Sequence, residues 1–137
     1  MTGSAPARRF VAWGAGLVCL ALVSCTGPFL AIPGGRLSGT EAPQPVTDWS
    51  AFDAPILALE VRPDDPYSVE LRGYVVDGKL YLDPAEGRRW LDYLRADPNV
   101  RVRIDGRVYR MRAVLAARPG EMAGFDPTRF IYRLDPR

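Results

Sequence analysis

The sequence contains no histidine, one lysine and only two cysteines. Without histidine the chain lacks the commonest general base, the commonest metal ligand and every Ser-His or Cys-His pair. Cys19 lies inside an apolar N-terminal run and Cys25 lies two residues after its end, so neither predicts a disulfide or a zinc site. These absences argue against hydrolases that use a histidine base, and no metal site is predicted.

The N-terminal segment has the layout of a secretory signal. Arg8 and Arg9 precede an apolar run from residue 10 to residue 23 that contains no acidic residue. This run is short for a membrane span, which takes about 20 residues. Its last residues, Leu22-Val23-Ser24, together with Cys25, resemble a bacterial lipobox. The resemblance implies cleavage after residue 24 and acylation of Cys25, palmitate included, which would anchor the chain in a membrane.

The alternative is an ordinary signal peptide with a coincidental cysteine. If the cysteine is acylated, the next residue bears on which membrane holds the chain. Thr26 stands there, and not the aspartate associated with retention in the inner membrane. In a host with two membranes this favours an outer-membrane lipoprotein of the cell envelope that faces the periplasm.

Removal of residues 1–24 leaves enough chain for one core and not for two. The whole chain carries 18 basic and 16 acidic residues, and loss of Arg8 and Arg9 leaves 16 of each. A net charge of zero argues against a nucleic-acid partner. Residues 25–47 are rich in glycine, proline, serine and threonine and predict a flexible tether, on which 37–39 could dock as an edge strand. The folded domain is predicted over 48–137.

Alternating apolar residues between tight turns predict an antiparallel β domain. The pairs Asp77-Gly78 and Asp105-Gly106 predict two-residue hairpin loops. A change to helical spacing predicts one helix near 84–96, begun by a capping box from Asp83. We therefore expect a mainly β fold, a small antiparallel barrel of about six strands with the helix covering one opening. The expected strands are 55–62, 68–76, 79–82, 99–105, 107–117 and 130–134.

Nine arginines lie between residues 88 and 118, against three aspartates. If the second Asp-Gly pair forms a two-residue loop, Arg101 lies directly opposite Arg110, which costs stability unless a negative group is near. That group could belong to the protein, with Glu60 or Glu70 interleaving from a neighbouring strand. The arginines would then form a charged, solvated strand face.

The negative group could instead be the phosphate or carboxylate of a ligand, which arginine binds with two parallel hydrogen bonds. Three arginines on the predicted hairpin would form this site, and residues at the end of the first predicted strand and the start of the second would meet a ligand at the barrel rim. Among the aromatic residues, Tyr67 and Trp90 are the ones placed to stack on a flat ring. The predicted ligand-binding residues are Arg62, Tyr67, Ser68, Arg101, Arg110 and Arg112.

Two stretches resemble the split-barrel superfamily of flavin-binding proteins, and in particular its deazaflavin-dependent nitroreductase branch. The first is Leu-Glu-Val-Arg-Pro-Asp-Asp-Pro-Tyr-Ser-Val at 59–69; the second, at 89–109, contains Asp-Pro-Asn-Val followed by a basic strand. The resemblance covers roughly 50–118 and implies a split β-barrel, a flavin or deazaflavin cofactor and a homodimer. Nothing from 76 to 88 matches the phosphate-binding segment of deazaflavin-binding members, so the activity is not carried over.

Two functions follow. The sequence favours a non-catalytic envelope module that binds a protein or a small anionic ligand, and the alternative is a flavin- or deazaflavin-dependent oxidoreductase. A deep cleft lined by the predicted ligand residues would favour a cofactor. Salt bridges from their arginines to Glu60 and Glu70 would oppose one.

Overall fold

The computed structural model describes residue 28 and residues 32–137. No helix among these residues is both long and apolar enough to cross a membrane. The predicted signal and Cys25 lie outside the described residues, so the lipid anchor stays a prediction.

The described chain forms short strands and one helix. These elements are β1 (Thr40–Glu41), β2 (Ile56–Val61), β3 (Tyr67–Arg72), β4 (Tyr74–Val76), β5 (Lys79–Leu82), α1 (Arg89–Ala96), β6 (Asn99–Ile104), β7 (Arg107–Ala117) and β8 (Ile131–Pro136).

The strands pair in the order β3-β2-β6-β7-β8-β5-β4, and β1 pairs in parallel with β7. Strands β3 and β4 are two halves of one stretch, joined at Gly73, whose N–H donates to the Pro55 carbonyl at 2.8 Å. The first half pairs with β2 and the second half with β5, so the sheet curls back on itself. The predicted fold class is therefore confirmed: residues 32–137 form a small, mostly antiparallel split barrel with one helix. The sheet has seven strands in its main path and the short β1 beside β7, because the predicted strand 68–76 is divided into β3 and β4 and because β1 was not among the expected strands.

Both predicted hairpin loops are present. Asp77 and Gly78 have φ angles of 49° and 71°, and Asp105 and Gly106 have φ angles of 48° and 76°. Positive φ at both central residues is the type I′ geometry, whose twist matches that of the flanking strands. The loops thereby fix the register on which the charged strand face depends.

The barrel interior is filled by alternate strand residues and by Trp49. This tryptophan is 1% exposed, and its ring meets the Tyr109 ring edge to face with 5.0 Å between centroids. Asp48 stabilises the turn that contains Trp49, because its Oδ1 accepts the Ser50 N–H at 2.9 Å. Fully buried leucines and valines of β2, β5 and β6 complete this core: Leu57, Leu59, Val61, Leu80, Leu82, Val100 and Val102.

The helix is shorter than the predicted 84–96 at its N-terminal end. Pro84 and its neighbours are held in an extended conformation, since the Pro84 carbonyl accepts the Phe130 N–H at 3.1 Å. Gly87 then adopts a φ of 81°, which a right-handed helix does not contain. The predicted cap from Asp83 is therefore wrong, and α1 begins without a side-chain cap. The helix buries Leu91 and Leu94 against β2 and β3.

Part of the predicted tether is built into the domain. We call residues 34–42 the strap. Gly34 and Ser68 exchange two backbone hydrogen bonds of 2.8 Å, and Leu37 is 2% exposed. Farther along, Ala42 N–H donates to the Val108 carbonyl at 2.8 Å, beside the β1–β7 pairing. These contacts offset the entropy of ordering the segment, so this part is fixed on the barrel and is not a flexible tether. The docking expected for residues 37–39 is present, but the edge strand itself is β1, Thr40–Glu41.

Candidate functional site

The predicted facing arginines lie where the register places them, and protein carboxylates neutralise them. Arg101 is directly opposite Arg110 on the β6–β7 hairpin. The Arg101 Nη1 donates to Glu60 Oε2 at 3.0 Å, and its Nη2 forms an ion pair with Glu41 of the strap. Glu41 Oε2 also lies 3.5 Å from Arg110 Nε. Of the two predicted protein partners Glu60 is used, whereas the role of Glu41 was not predicted.

The Glu60 carboxylate is buried at 2% exposure and joins the strap to the barrel. It accepts the Leu37 N–H at 2.6 Å as well as the Arg101 guanidinium. Burial lowers the pKa of Arg101, but Glu41 and Glu60 outweigh it and hold that pKa above its ordinary value. Arg101 therefore stays charged and serves a structural ion pair. A salt bridge between Arg101 and Glu60 is one of the two expected features that oppose a cofactor site at these arginines.

Arg112 is exposed and lies opposite Asn99 on one side and Asp135 on the other. The Asp135 carboxylate is already bound by Arg133, with contacts of 2.6 and 2.8 Å. Arg112 thus stands on the outer face of the hairpin. Its part in ligand binding stays a prediction.

The other predicted ligand residues lie at the β2–β3 turn and the start of β3. Arg62 binds Asp65 at 2.8 Å, and its guanidinium carbon lies 4.2 Å from the centre of the Tyr93 ring. Ser68 is fully buried and donates its hydroxyl to the strap backbone at 2.7 Å. Tyr67 meets Tyr93 edge to face, with 5.3 Å between centroids, and it also borders an open groove. Of these three predicted residues, only Tyr67 lines the groove.

This groove has a volume of about 490 Å³ and lies between β3, the β5–α1 connection and the first turn of α1. It is larger than two other concavities among residues 32–137, whose volumes are about 330 and 260 Å³. Ile32 and Pro33, which precede the strap, border it too. We call it the arginine groove after the residues that characterise its lining: Arg72, Arg88, Arg89 and Arg129, with Tyr67 and Trp90.

Its arginines outnumber its acids, which are Glu70 and Asp83. Arg72, Arg88 and Arg89 are exposed, and no ion pair within residues 32–137 involves any of them. Guanidinium groups left in this state bind phosphate and carboxylate through paired hydrogen bonds. The groove is therefore a candidate anion site.

The backbone of β3 contributes further donors to the groove. Gly73 N–H bonds the Pro55 carbonyl, and Ser68 N–H points the other way, to Gly34. Because backbone groups alternate along an antiparallel strand, the N–H groups of Glu70 and Arg72 also point away from β2. An anion in the groove would thus meet amide donors as well as guanidinium groups.

Asp83 supplies the groove with one titrating group of altered acidity. Burial raises the pKa of the Asp83 carboxyl, while Arg129 and the Tyr74 hydroxyl partly oppose that rise. Burial also raises the pKa of Tyr74, and the charge of Asp83 raises it further. A partly buried carboxylate beside Arg129 can orient a ligand that carries a hydrogen-bond donor.

We expect Asp83→Asn to change how stability depends on pH. Because the pKa of Asp83 is raised in the folded chain, its favourable contribution is present below the ordinary value of 3.8 and is lost as pH rises through the folded-state pKa. The variant should therefore gain stability relative to wild type as pH rises. Urea unfolding between about pH 3 and pH 7 measures this, with exposed Asp64→Asn as control. A difference that stays constant with pH would contradict the prediction.

Most of the groove was not predicted from the sequence. Tyr67 and Trp90 were predicted as aromatic residues placed to stack on a ligand, but no ligand role was predicted for the four arginines. The outward position of Arg72 was predictable, because Glu70 and Arg72 lie on the same exposed face of β3 and alternate with the apolar residues. Arg129 gave no signal, since it comes from an irregular segment whose course the sequence does not determine.

Comparisons with known proteins give limited information. No family model matches the chain, and neither does any curated protein. A solved structure described as an F420 reductase is similar, with 15% sequence identity and a TM-score of 0.46. The match covers 62% of this chain and 88% of that one.

Proposed function

We propose that this chain is a lipid-anchored protein of the cell envelope whose barrel binds a small anionic ligand in the arginine groove, without catalysis. The observation that carries the proposal is the clustering of Arg72, Arg88 and Arg89 at one concavity, where no ion pair within the described chain occupies them. Arg101 and Arg110 lie in the opposite situation, held by protein carboxylates. Charges kept available at a groove favour binding of an external anion.

The absence of catalysis is supported by the groove's chemistry. The sequence offers no histidine, and the acids in the lining are Glu70, which is exposed, and Asp83. Acid–base catalysis by carboxyl groups typically uses two whose environments drive their pKa values apart. Asp83 has a raised pKa, whereas Glu70, the other acid in the lining, occupies an exposed position on β3.

The alternative is a flavin- or deazaflavin-dependent oxidoreductase, and the size and charge of the same groove favour it. The four arginines would hold the phosphate of such a cofactor, which would supply hydride transfer. The aromatic lining fits less well, because Tyr67 is packed on Tyr93 and Trp90 is partly buried against the core. This alternative also predicts a homodimer, which sedimentation would detect.

Ligand binding is tested on residues 26–137, which retain the whole strap. We expect glycerol 3-phosphate to bind and Arg88→Gln/Arg89→Gln to weaken binding at least about 30-fold, because each charge-assisted hydrogen bond contributes about 1.5–3 kcal/mol. The control Arg107→Gln/Arg118→Gln removes the same charge from exposed positions outside the groove. Calorimetry measures affinity, and visible absorption after incubation with flavin or deazaflavin tests the alternative. Equal losses in both double variants would contradict the groove assignment.

Acylation is tested on the full-length chain in a bacterium with two membranes. We expect labelled palmitate to be incorporated into wild type, to be lost in Cys25→Ser, and to be retained in Cys19→Ser, since only Cys25 occupies the lipobox position. Density-gradient fractionation should place the labelled protein in the outer membrane. Cleavage of the leader without any label would favour the ordinary signal peptide.

A further inference from the structure

We infer that the anion bound by the arginine groove is the headgroup of an anionic phospholipid, and that the groove thereby docks the barrel on the membrane that carries its anchor. This inference rests on the proposed function and names the ligand of the same site. The chemistry recognised is a phosphodiester, and its source is the lipid surface.

The short connection to Cys25 places the groove close to that surface. Ile32 borders the groove, and it follows Cys25 by seven residues (32 minus 25). Whatever its conformation, a chain of that length spans at most about 25 Å. An acylated Cys25 therefore keeps the groove near the headgroups, and such a short linker gives a high effective concentration of lipid at the site.

The charge distribution favours an oriented approach. The mature chain is electrically balanced, with 16 residues of each sign once Arg8 and Arg9 are removed from 18. The barrel as a whole is therefore not drawn to an anionic surface, whereas a groove with four arginines and two acids is. Docking through this groove brings a local excess of positive charge to the membrane.

Apolar groups at the groove suit the boundary between headgroups and acyl chains. Ile32 is 65% exposed, the most exposed of the large hydrophobic residues within the described chain. Trp90 lies in the lining and is partly buried. Tryptophan and exposed aliphatic side chains beside basic residues are typical of surfaces that rest on a bilayer.

The donors match a phosphodiester. Arg88 and Arg89 stand at the beginning of α1, and the outward N–H groups of Glu70 and Arg72 line the facing wall. A headgroup phosphate between these walls would accept hydrogen bonds from both sides. Its glycerol or amine portion could reach Asp83, the acceptor in the lining.

The experiment is vesicle flotation of residues 26–137, which keep every described residue but have no acyl anchor. We expect binding to vesicles of phosphatidylglycerol and phosphatidylcholine and none to phosphatidylcholine alone. Arg88→Gln/Arg89→Gln should lower the partition coefficient about 30-fold, whereas Arg107→Gln/Arg118→Gln should leave it within about twofold. Circular dichroism shows whether each variant folds, and Ile32→Ser provides a milder second variant expected to weaken binding without removing charge.

Soluble probes separate the two proposals. Glycerophosphoglycerol, which is the headgroup without acyl chains, and inorganic phosphate are titrated into the same samples. Groove-dependent binding of these probes without vesicle binding would overturn the membrane inference and leave the proposed function standing. Binding of neither probes nor vesicles would overturn both. Vesicle binding that both double variants weaken equally would show non-specific attraction and would also overturn the inference.

Discussion

Glu60→Ala is expected to destabilise the domain by about 3–5 kcal/mol, because it removes one partner of a buried ion pair. The carboxylate accepts the Arg101 guanidinium at 3.0 Å and the Leu37 N–H at 2.6 Å. Its loss leaves a partly buried cation and a buried amide without that acceptor. Urea unfolding of residues 26–137 at neutral pH measures the change in free energy of unfolding.

The matched control is Glu70→Ala on the neighbouring strand, whose side chain is exposed. A surface substitution of this kind is expected to change stability by no more than about 0.5 kcal/mol. A second test replaces both partners, as Glu60→Leu/Arg101→Met, which should recover much of the lost stability because no charge remains buried. If Glu60→Ala and Glu70→Ala prove equally mild, the contacts of Glu60 with Arg101 and with the strap contribute little to the free energy of unfolding.

Gly73→Val is expected to destabilise the domain by about 2–3 kcal/mol through overpacking. A Cβ at this position would lie 2.9 Å from Leu57 Cδ2 and 2.9 Å from Leu80 Cδ1. Both leucines are fully buried, so neither can move aside without disturbing the core. The residue also joins β3 to β4, where the barrel changes strand partners. Thermal and urea unfolding measure the loss, and Gly73→Ala should give a smaller one.

A double-mutant cycle tests whether crowding is the cause. Leu80→Ala alone should be strongly destabilising, by about 2–5 kcal/mol, because it leaves a cavity. The double variant Gly73→Val/Leu80→Ala should lose less free energy of unfolding than the sum of the two single losses, since the valine methyls fill part of that cavity. Strict additivity would mean that Gly73 acts through backbone conformation and not through the space it leaves for the leucines.

The sequence determined the strand register well, because local chemistry sets it. The two Asp-Gly pairs permit few loop geometries. A two-residue loop at the second pair places Arg101 opposite Arg110 and Val102 opposite Tyr109. The alternation of apolar residues in β6 then decided which face is buried, since a slip of one residue would have exposed it. These local rules predicted six of the strand stretches and the helix, but not the short β1 or the division of the second predicted strand into β3 and β4.

Features that depend on residues distant in the sequence were harder to predict. The charge opposite Arg101 comes partly from Glu41, 60 residues away in a proline-rich stretch that reads as a linker. The start of α1 was misplaced because the Pro84 carbonyl is used by Phe130, whose approach no local pattern reveals. The arginine groove combines four separate segments, so its lining became apparent only once the barrel had brought them together.

The strap has a mechanical consequence. A pull from the N-terminal side reaches the Gly34–Ser68 bridge first, then Leu37 and its bond to Glu60, and only afterwards β1 against β7. The hydrogen bonds of the strap are few, whereas the barrel behind it is held by continuous ladders and a closed core. Force would therefore detach the strap while the barrel stays folded, releasing residues 34–42, up to about 30 Å of chain. The strap would therefore lengthen the chain between the N-terminal side and the barrel before any strand of the barrel unfolds.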